Sequence, residues 1–204
     1  MAVEDHSLFS IPVRVVDLEN HTQIKEAFAP WISSTHPELR NQKLWECDTK
    51  STFGQANREI PFELLRSSLN SHLQDYISEF FRPQNDARVE EKEIWLNVYS
   101  KGDYQEIHNH VGNRTVISMA YMLAQPARSG SFVFYRNGDT FFRGLTDYVR
   151  PDFSRDRVAP GLREGQAVFF PSSLPHYVSP HQSDSLRATV SANYWVCHPS
   201  LGNE

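Results

Sequence analysis

Residues 93–100 alternate by parity: Ile94, Leu96 and Val98 fall on one side, and Trp95, Asn97 and Tyr99 on the other. Residues two apart on a strand share a face. This stretch therefore reads as a strand with one apolar face and one face that mixes aromatic and polar groups. Further strand-like runs occur at 115–123, 130–135, 140–143, 166–170 and 188–196, separated by Gly and Pro. A series of short strands must close into a barrel or stack as a sandwich to bury its apolar faces.

The chain ahead of this region reads differently. Ile24, Ala27, Phe28, Trp31 and Ile32 follow helical spacing, with Asn20 placed to cap the helix. A second helix is predicted from Pro61, with the stripe Phe62, Leu65, Leu69, Leu73, Tyr76, Ile77 and Phe80 and a stop at Pro83. Residues 33–60 read as loop with a short strand. The expected organisation is a mainly β domain, residues 1–204, in which a helical section (1–88) supports a β core (89–198).

The 204 residues carry a formal charge of −5, too mild a balance to favour nucleic acid or an anionic membrane. No apolar run approaches membrane-spanning length, and the two cysteines, Cys47 and Cys197, form no disulfide framework. A cytoplasmic setting is expected. Residues 144–162 lack periodicity and are long for a loop, and read either as a solvated surface loop or as a candidate lid over the substrate.

Among nine histidines, His6, His21, His36, His72, His181 and His198 sit in polar or helical contexts that call for surface or capping roles. His108 and His110 are two apart in a strand-like segment, so both imidazoles can converge on one metal ion. His176 follows a strand and the turn Pro171-Ser-Ser-Leu-Pro, from which it can be aimed into a barrel mouth. Three such ligands with open positions suit a non-heme Fe(II) site, although the usual triad contains one carboxylate. Arg187 opens an apolar strand downstream, and its planar fork suits a carboxylate. Thr189 shares its face and adds a hydroxyl. Tyr99 and Tyr121, on other strands, offer phenol donors.

With these residues assembled, the half of the chain from Ile94 to Trp195 resembles the prolyl-4-hydroxylase-like branch of the 2-oxoglutarate/Fe(II) oxygenases, nearest its uncharacterised microbial and phage members. The resemblance rests on Tyr99, Gly102, Tyr104, His108 and His110, on the run Gly165 to Pro171 leading to His176, on Arg187, and on the strand with Tyr121. It implies a double-stranded β-helix (jelly-roll, cupin-like) core. It also implies iron bound by His108, His110 and His176, and 2-oxoglutarate as co-substrate near Arg187, Thr189, Tyr99 and Tyr121. The implied reaction consumes O2, yields succinate and CO2, and usually hydroxylates an unactivated C–H bond. A small-molecule or peptide substrate is expected, and a homodimer is compatible with the sequence. His110 departs from the pattern, since the family has Asp or Glu there. A cupin-type metalloenzyme is the alternative: Gly102, five residues and His108-Asn109-His110 fit its first motif, and Gly165, Pro171 and His176 fit its second. Arg114 and Thr115 stand where its glutamate belongs. A non-catalytic metal-binding domain is the third reading.

Overall fold

The computed structural model describes residues 10–33, 39–41, 46–55, 59–81, 87–112, 114–136 and 155–197. The expected strand at 140–143, most of the candidate lid (144–154), Pro83, His6, His36 and His198 lie outside the described residues.

The chain runs β1 (Arg14–Asp17), α1 (His21–Ile32), β2 (Arg40–Asn41), β3 (Lys50–Ser51), α2 (Phe62–Phe80), β4 (Arg88–Tyr99), β5 (Gln105–His108), β6 (Thr115–Ala124), β7 (Phe132–Tyr135), β8 (Arg157–Val158), β9 (Gln166–Pro171), β10 (His176–Val178) and β11 (Arg187–Cys197). Among the described residues, seven strands form a major sheet in the order β1-β9-β6-β11-β4-β3-β2, and four form a minor sheet in the order β5-β10-β7-β8. All strand pairs are antiparallel. From β4 onward the chain passes back and forth between the sheets, which gives the double-stranded β-helix.

Strand parity builds two cores from the same strands. One parity of the major sheet packs against the helices: Ile94, Leu96 and Val98 of β4, Ile117, Tyr121 and Leu123 of β6, and Val190 of β11 join Ile24, Phe28, Leu65, Leu69 and Tyr76. The other parity faces the minor sheet, where Tyr99, Ala120, Met122, Val168 and Phe170 meet Phe132, Phe134 and Val178. Each fully buried aliphatic or aromatic side chain here contributes roughly 1.5–3 kcal/mol from burial.

The helices begin close to where their apolar spacing places them, with Asn20 and Pro61 at their N-caps. Asn20 takes the N-cap position of α1, but its side chain makes no capping bond; its Nδ2 donates instead to Ser68 Oγ of α2 at 2.8 Å, so it joins the two helices. The first third is also less helical than its pattern implies, since β1, β2 and β3 all add to the major sheet. β1 is an edge strand whose Val15 remains 41% exposed, so its sequence shows no apolar alternation. His181 corrects a second expectation. It is completely buried rather than superficial, and its backbone N–H donates to Asp103 O while its own carbonyl accepts from Gly102. These bonds fix the β4–β5 turn, where Gly102 adopts φ 95°, a conformation glycine takes without steric cost.

Candidate metal centre

His108 closes β5 and His176 opens β10, and the two are register partners across the minor sheet. The pairing is irregular between His176 and Val178, a local distortion of the kind that re-aims side chains beside active sites. His110 lies beyond the end of β5, so strand parity alone does not place it. Its backbone N–H donates to Ser172 O at 2.9 Å, and this bond turns the ring inward. Ring centroids are 4.3 Å apart for His108 and His176, 4.9 Å for His110 and His176, and 5.2 Å for His108 and His110. One nitrogen from each ring lies within 4.8 Å of the others, close enough for a single ion.

Each ring also has an anchor on its other side. His108 Nδ1 lies 2.7 Å from Glu106 O, and His176 Nδ1 lies 3.0 Å from Leu174 O. His110 Nδ1 lies 2.6 Å from Asn193 Oδ1 and 2.9 Å from Ser118 Oγ. A carbonyl oxygen only accepts, so Nδ1 carries the proton in each case and Nε2 presents its lone pair. Phe132 stacks on His176 with centroids 5.2 Å apart, and Phe170 meets the same ring edge-on at 4.9 Å. Burial lowers the pKa of all three imidazoles: His110 falls to about 4, with the neighbouring His108 adding to the effect, and His176 falls well below its usual value. Neutral imidazoles are the form that binds metal.

The histidines share a small inner cavity, with open space of about 20 Å³, with Tyr99, Gln105, Arg187 and Thr189. Arg187 is completely buried, and its Nε and Nη1 have no hydrogen-bond partner among the described residues. Its Nη2 reaches Met122 Sδ at 3.7 Å, a weak acceptor. Burial lowers the guanidinium pKa, and the nearby Tyr99 opposes that shift. Leaving charged donors unpaired inside a protein is costly. This constellation therefore fits a buried anion beside the histidines, and a dicarboxylate that also reaches the metal position satisfies both.

Tyr99 and Thr189 thus stand with Arg187, and Tyr121 does not. Tyr121 shares parity with Ile117 and Leu123, on the helix-facing side of β6. Its hydroxyl lies 2.6 Å from His21 Nδ1, and the same ring's Nε2 lies 3.3 Å from Glu164 Oε1. Tyr121 docks α1 onto the sheet, a correction that its parity in the sequence already contained. The sequence reading passed over Asn193, Ser118 and Gln105. Asn193 and Ser118 are buried polar residues on the inward parity of β11 and β6. A wider groove lies outside the cavity, with Phe53, Trp95, Glu93, His108 and His110 among its lining residues. Phe53 and Trp95 meet edge-on there, 5.0 Å apart.

Residues 93–193 match the family model described as "Putative 2OG-Fe(II) oxygenase". That span runs from Glu93 to Asn193 and contains the three histidines, Arg187, Thr189 and Tyr99. No curated protein matches the chain. Among solved structures, a prolyl-4-hydroxylase of Pseudomonas putida aligns with TM-score 0.59 and 16% identity, over 92% of this chain and 94% of its own. A prolyl hydroxylase of Trichoplax adhaerens, in complex with a hypoxia inducible factor oxygen degradation domain peptide fragment, aligns with TM-score 0.61 and 15% identity, over 90% and 83%. HygX of Streptomyces hygroscopicus, with nickel, 2-oxoglutarate and hygromycin B bound, aligns with TM-score 0.58 and 11% identity, over 91% and 83%. At these identities the structural likeness speaks for the fold.

Proposed function

This chain belongs to the 2-oxoglutarate- and Fe(II)-dependent oxygenases, and from that premise we propose that it hydroxylates a small-molecule or peptide substrate, using the three-histidine cluster as its iron site. His108, His110 and His176 hold the metal through Nε2. Arg187, with Thr189 beside it, binds the distal carboxylate of 2-oxoglutarate. Fe(II), 2-oxoglutarate and O2 together supply the oxidising power, with succinate and CO2 as products.

The residues around them have separable tasks. The backbone carbonyls of Glu106 and Leu174, with the side chain of Asn193, fix the tautomers and orientations of the ligands. Phe132 and Phe170 pack against His176 and keep water from that side of the cavity. Tyr99 holds the guanidinium over its ring and donates its hydroxyl proton to Gln105 Oε1 at 2.7 Å. Gln105 borders both the cavity and the outer groove, as do His108 and His110. A substrate seated in the groove therefore lies against the metal ligands, while the co-substrate enters the inner cavity toward Arg187, whose lining side chains part to admit it. Relatives of this fold include one bound to a peptide and one bound to hygromycin B, so the groove's substrate is drawn from the peptide or small-molecule classes.

The single observation that carries this reading is the buried Arg187, whose Nε and Nη1 lack partners among the described residues and which lines the cavity that the three histidines share. A cupin-type site gives that arginine no role. The test is anaerobic reconstitution with Fe(II), then admission of O2 with and without 2-oxoglutarate. Succinate formed only with Fe(II) and 2-oxoglutarate supports the reading. Intact bound iron with no succinate, even with 2-oxoglutarate in excess, counts against it.

A further inference from the structure

His110 occupies the place where the carboxylate ligand of such sites is expected, and its surroundings differ from those of the other two histidines. His108 and His176 rest their Nδ1 atoms on backbone carbonyls. His110 rests on a side chain that leads to a carboxylate. Asn193 Oδ1 lies 2.6 Å from His110 Nδ1, and Asn193 Nδ2 donates to Glu93 Oε1 at 2.7 Å. Glu93 and Asn193 are register partners on β4 and β11, next to the irregularity that separates Asn193 from Tyr194 in that pairing. Ser118 Oγ lies 2.8 Å from the same Asn193 Oδ1 and 2.9 Å from Ser172 Oγ. Asn193, Ser118 and Ser172 are all buried, at 4%, 0% and 1% exposure, so water does not compete for these bonds.

The chemistry fixes the direction of the chain. A carboxylate only accepts, so the amide nitrogen of Asn193 must face Glu93. The amide oxygen must then face His110, and His110 must donate from Nδ1. The negative charge of Glu93 is thus passed through one polarised amide to the back of an imidazole whose Nε2 faces the metal position. Hydrogen bonds in series polarise one another in a medium of low dielectric constant. Partners of this kind raise the basicity of a ligating histidine.

We propose that Glu93 and Asn193 are positioning residues that make His110 a more electron-rich ligand and so stand in, at one remove, for the carboxylate that the metal site lacks. This rests on the reading of His110 as a metal ligand. Glu93 keeps its charge out of the coordination sphere, at the rim of the outer groove, while its influence reaches the metal through β11.

The experiment is Co(II) titration of the full-length protein, followed by ligand-field absorption, for wild type, His110→Ala, Asn193→Ala, Glu93→Gln and His110→Ala with Glu93→Gln. The Fe(III)/Fe(II) midpoint potential of each protein is measured alongside. Glu93→Gln keeps an acceptor for Asn193 and removes only the charge, so a purely structural role predicts no change. The expected result is about 10–100-fold weaker Co(II) binding for Asn193→Ala. Glu93→Gln should bind roughly three- to tenfold more weakly, with a higher midpoint potential, and should have no effect once His110 is alanine. Wild-type affinity and potential in Glu93→Gln, beside a His110-dependent cobalt spectrum, overturn the relay and leave the metal site standing. A cobalt spectrum that His110→Ala does not alter overturns the three-histidine site and the relay together.

Discussion

The guanidinium carbon of Arg187 sits 4.5 Å from the centre of the Tyr99 ring, and the two residues are register partners on β11 and β4. The ring offsets part of the cost of burying the cation, by roughly 2 kcal/mol in a desolvated site, but among the described residues Nε and Nη1 have no acceptors. The site is therefore pre-organised for an anion and destabilised without one.

Replacing the cation should reveal that cost. Arg187→Met has similar reach and no charge. It is expected to raise the melting temperature of the ligand-free protein, because an uncompensated buried charge is removed. It should also abolish the thermal stabilisation that 2-oxoglutarate gives the wild type by binding the native state. Thermal unfolding with and without 2-oxoglutarate measures both effects. A lower melting temperature for the ligand-free variant would contradict the account of an orphaned charge.

Tyr99 separates ring from hydroxyl. Tyr99→Phe keeps the face under Arg187 and loses the bond to Gln105, so 2-oxoglutarate affinity should fall by less than threefold, well under 1 kcal/mol. Tyr99→Leu removes the face and should weaken binding about tenfold or more, in line with a cation–π contribution of ~2 kcal/mol. Calorimetric titration of the two variants distinguishes them; equal losses would show that the hydroxyl, not the ring, does the binding.

Tyr121→Phe should leave 2-oxoglutarate affinity unchanged, since the side chain faces α1 rather than the cavity. It should cost about 1 kcal/mol of stability through the lost bond to His21. Denaturant unfolding, read beside the binding titration, checks this. Impaired 2-oxoglutarate binding with normal stability would return Tyr121 to the site.

Much of this arrangement was legible because strand parity is a strong signal. Trp95, Asn97 and Tyr99 against Ile94, Leu96 and Val98 gave both faces of β4, and Arg187 and Thr189 fell on the inward side of β11. The same rule, carried along β11 to Asn193 and along β6 to Ser118 and Tyr121, would have placed the relay residues inside and Tyr121 outside. The position of His110 was harder to read, since it depends on a bond from beyond β5 to Ser172, more than sixty residues away in sequence. The edge strand β1 was silent because an exposed valine carries no burial pattern. The unpaired state of Arg187 is a property of packing, and sequence reports only that an arginine opens an apolar strand.

The most direct test of the central claim is titration of the anaerobic Fe(II) protein with 2-oxoglutarate, following the metal-to-ligand charge-transfer absorption that the chelate produces. The account predicts a saturable band in the wild type. It predicts no band in His108→Ala, which cannot hold the metal. In Arg187→Ala it predicts at least tenfold weaker affinity, about 1.4 kcal/mol, with metal binding nearly intact. Arg187→Lys should fall between wild type and alanine, because a point charge replaces the fork. A wild-type protein that binds Fe(II) through these histidines yet shows neither the band nor any affinity for 2-oxoglutarate would contradict the account and favour a cupin-type metal site.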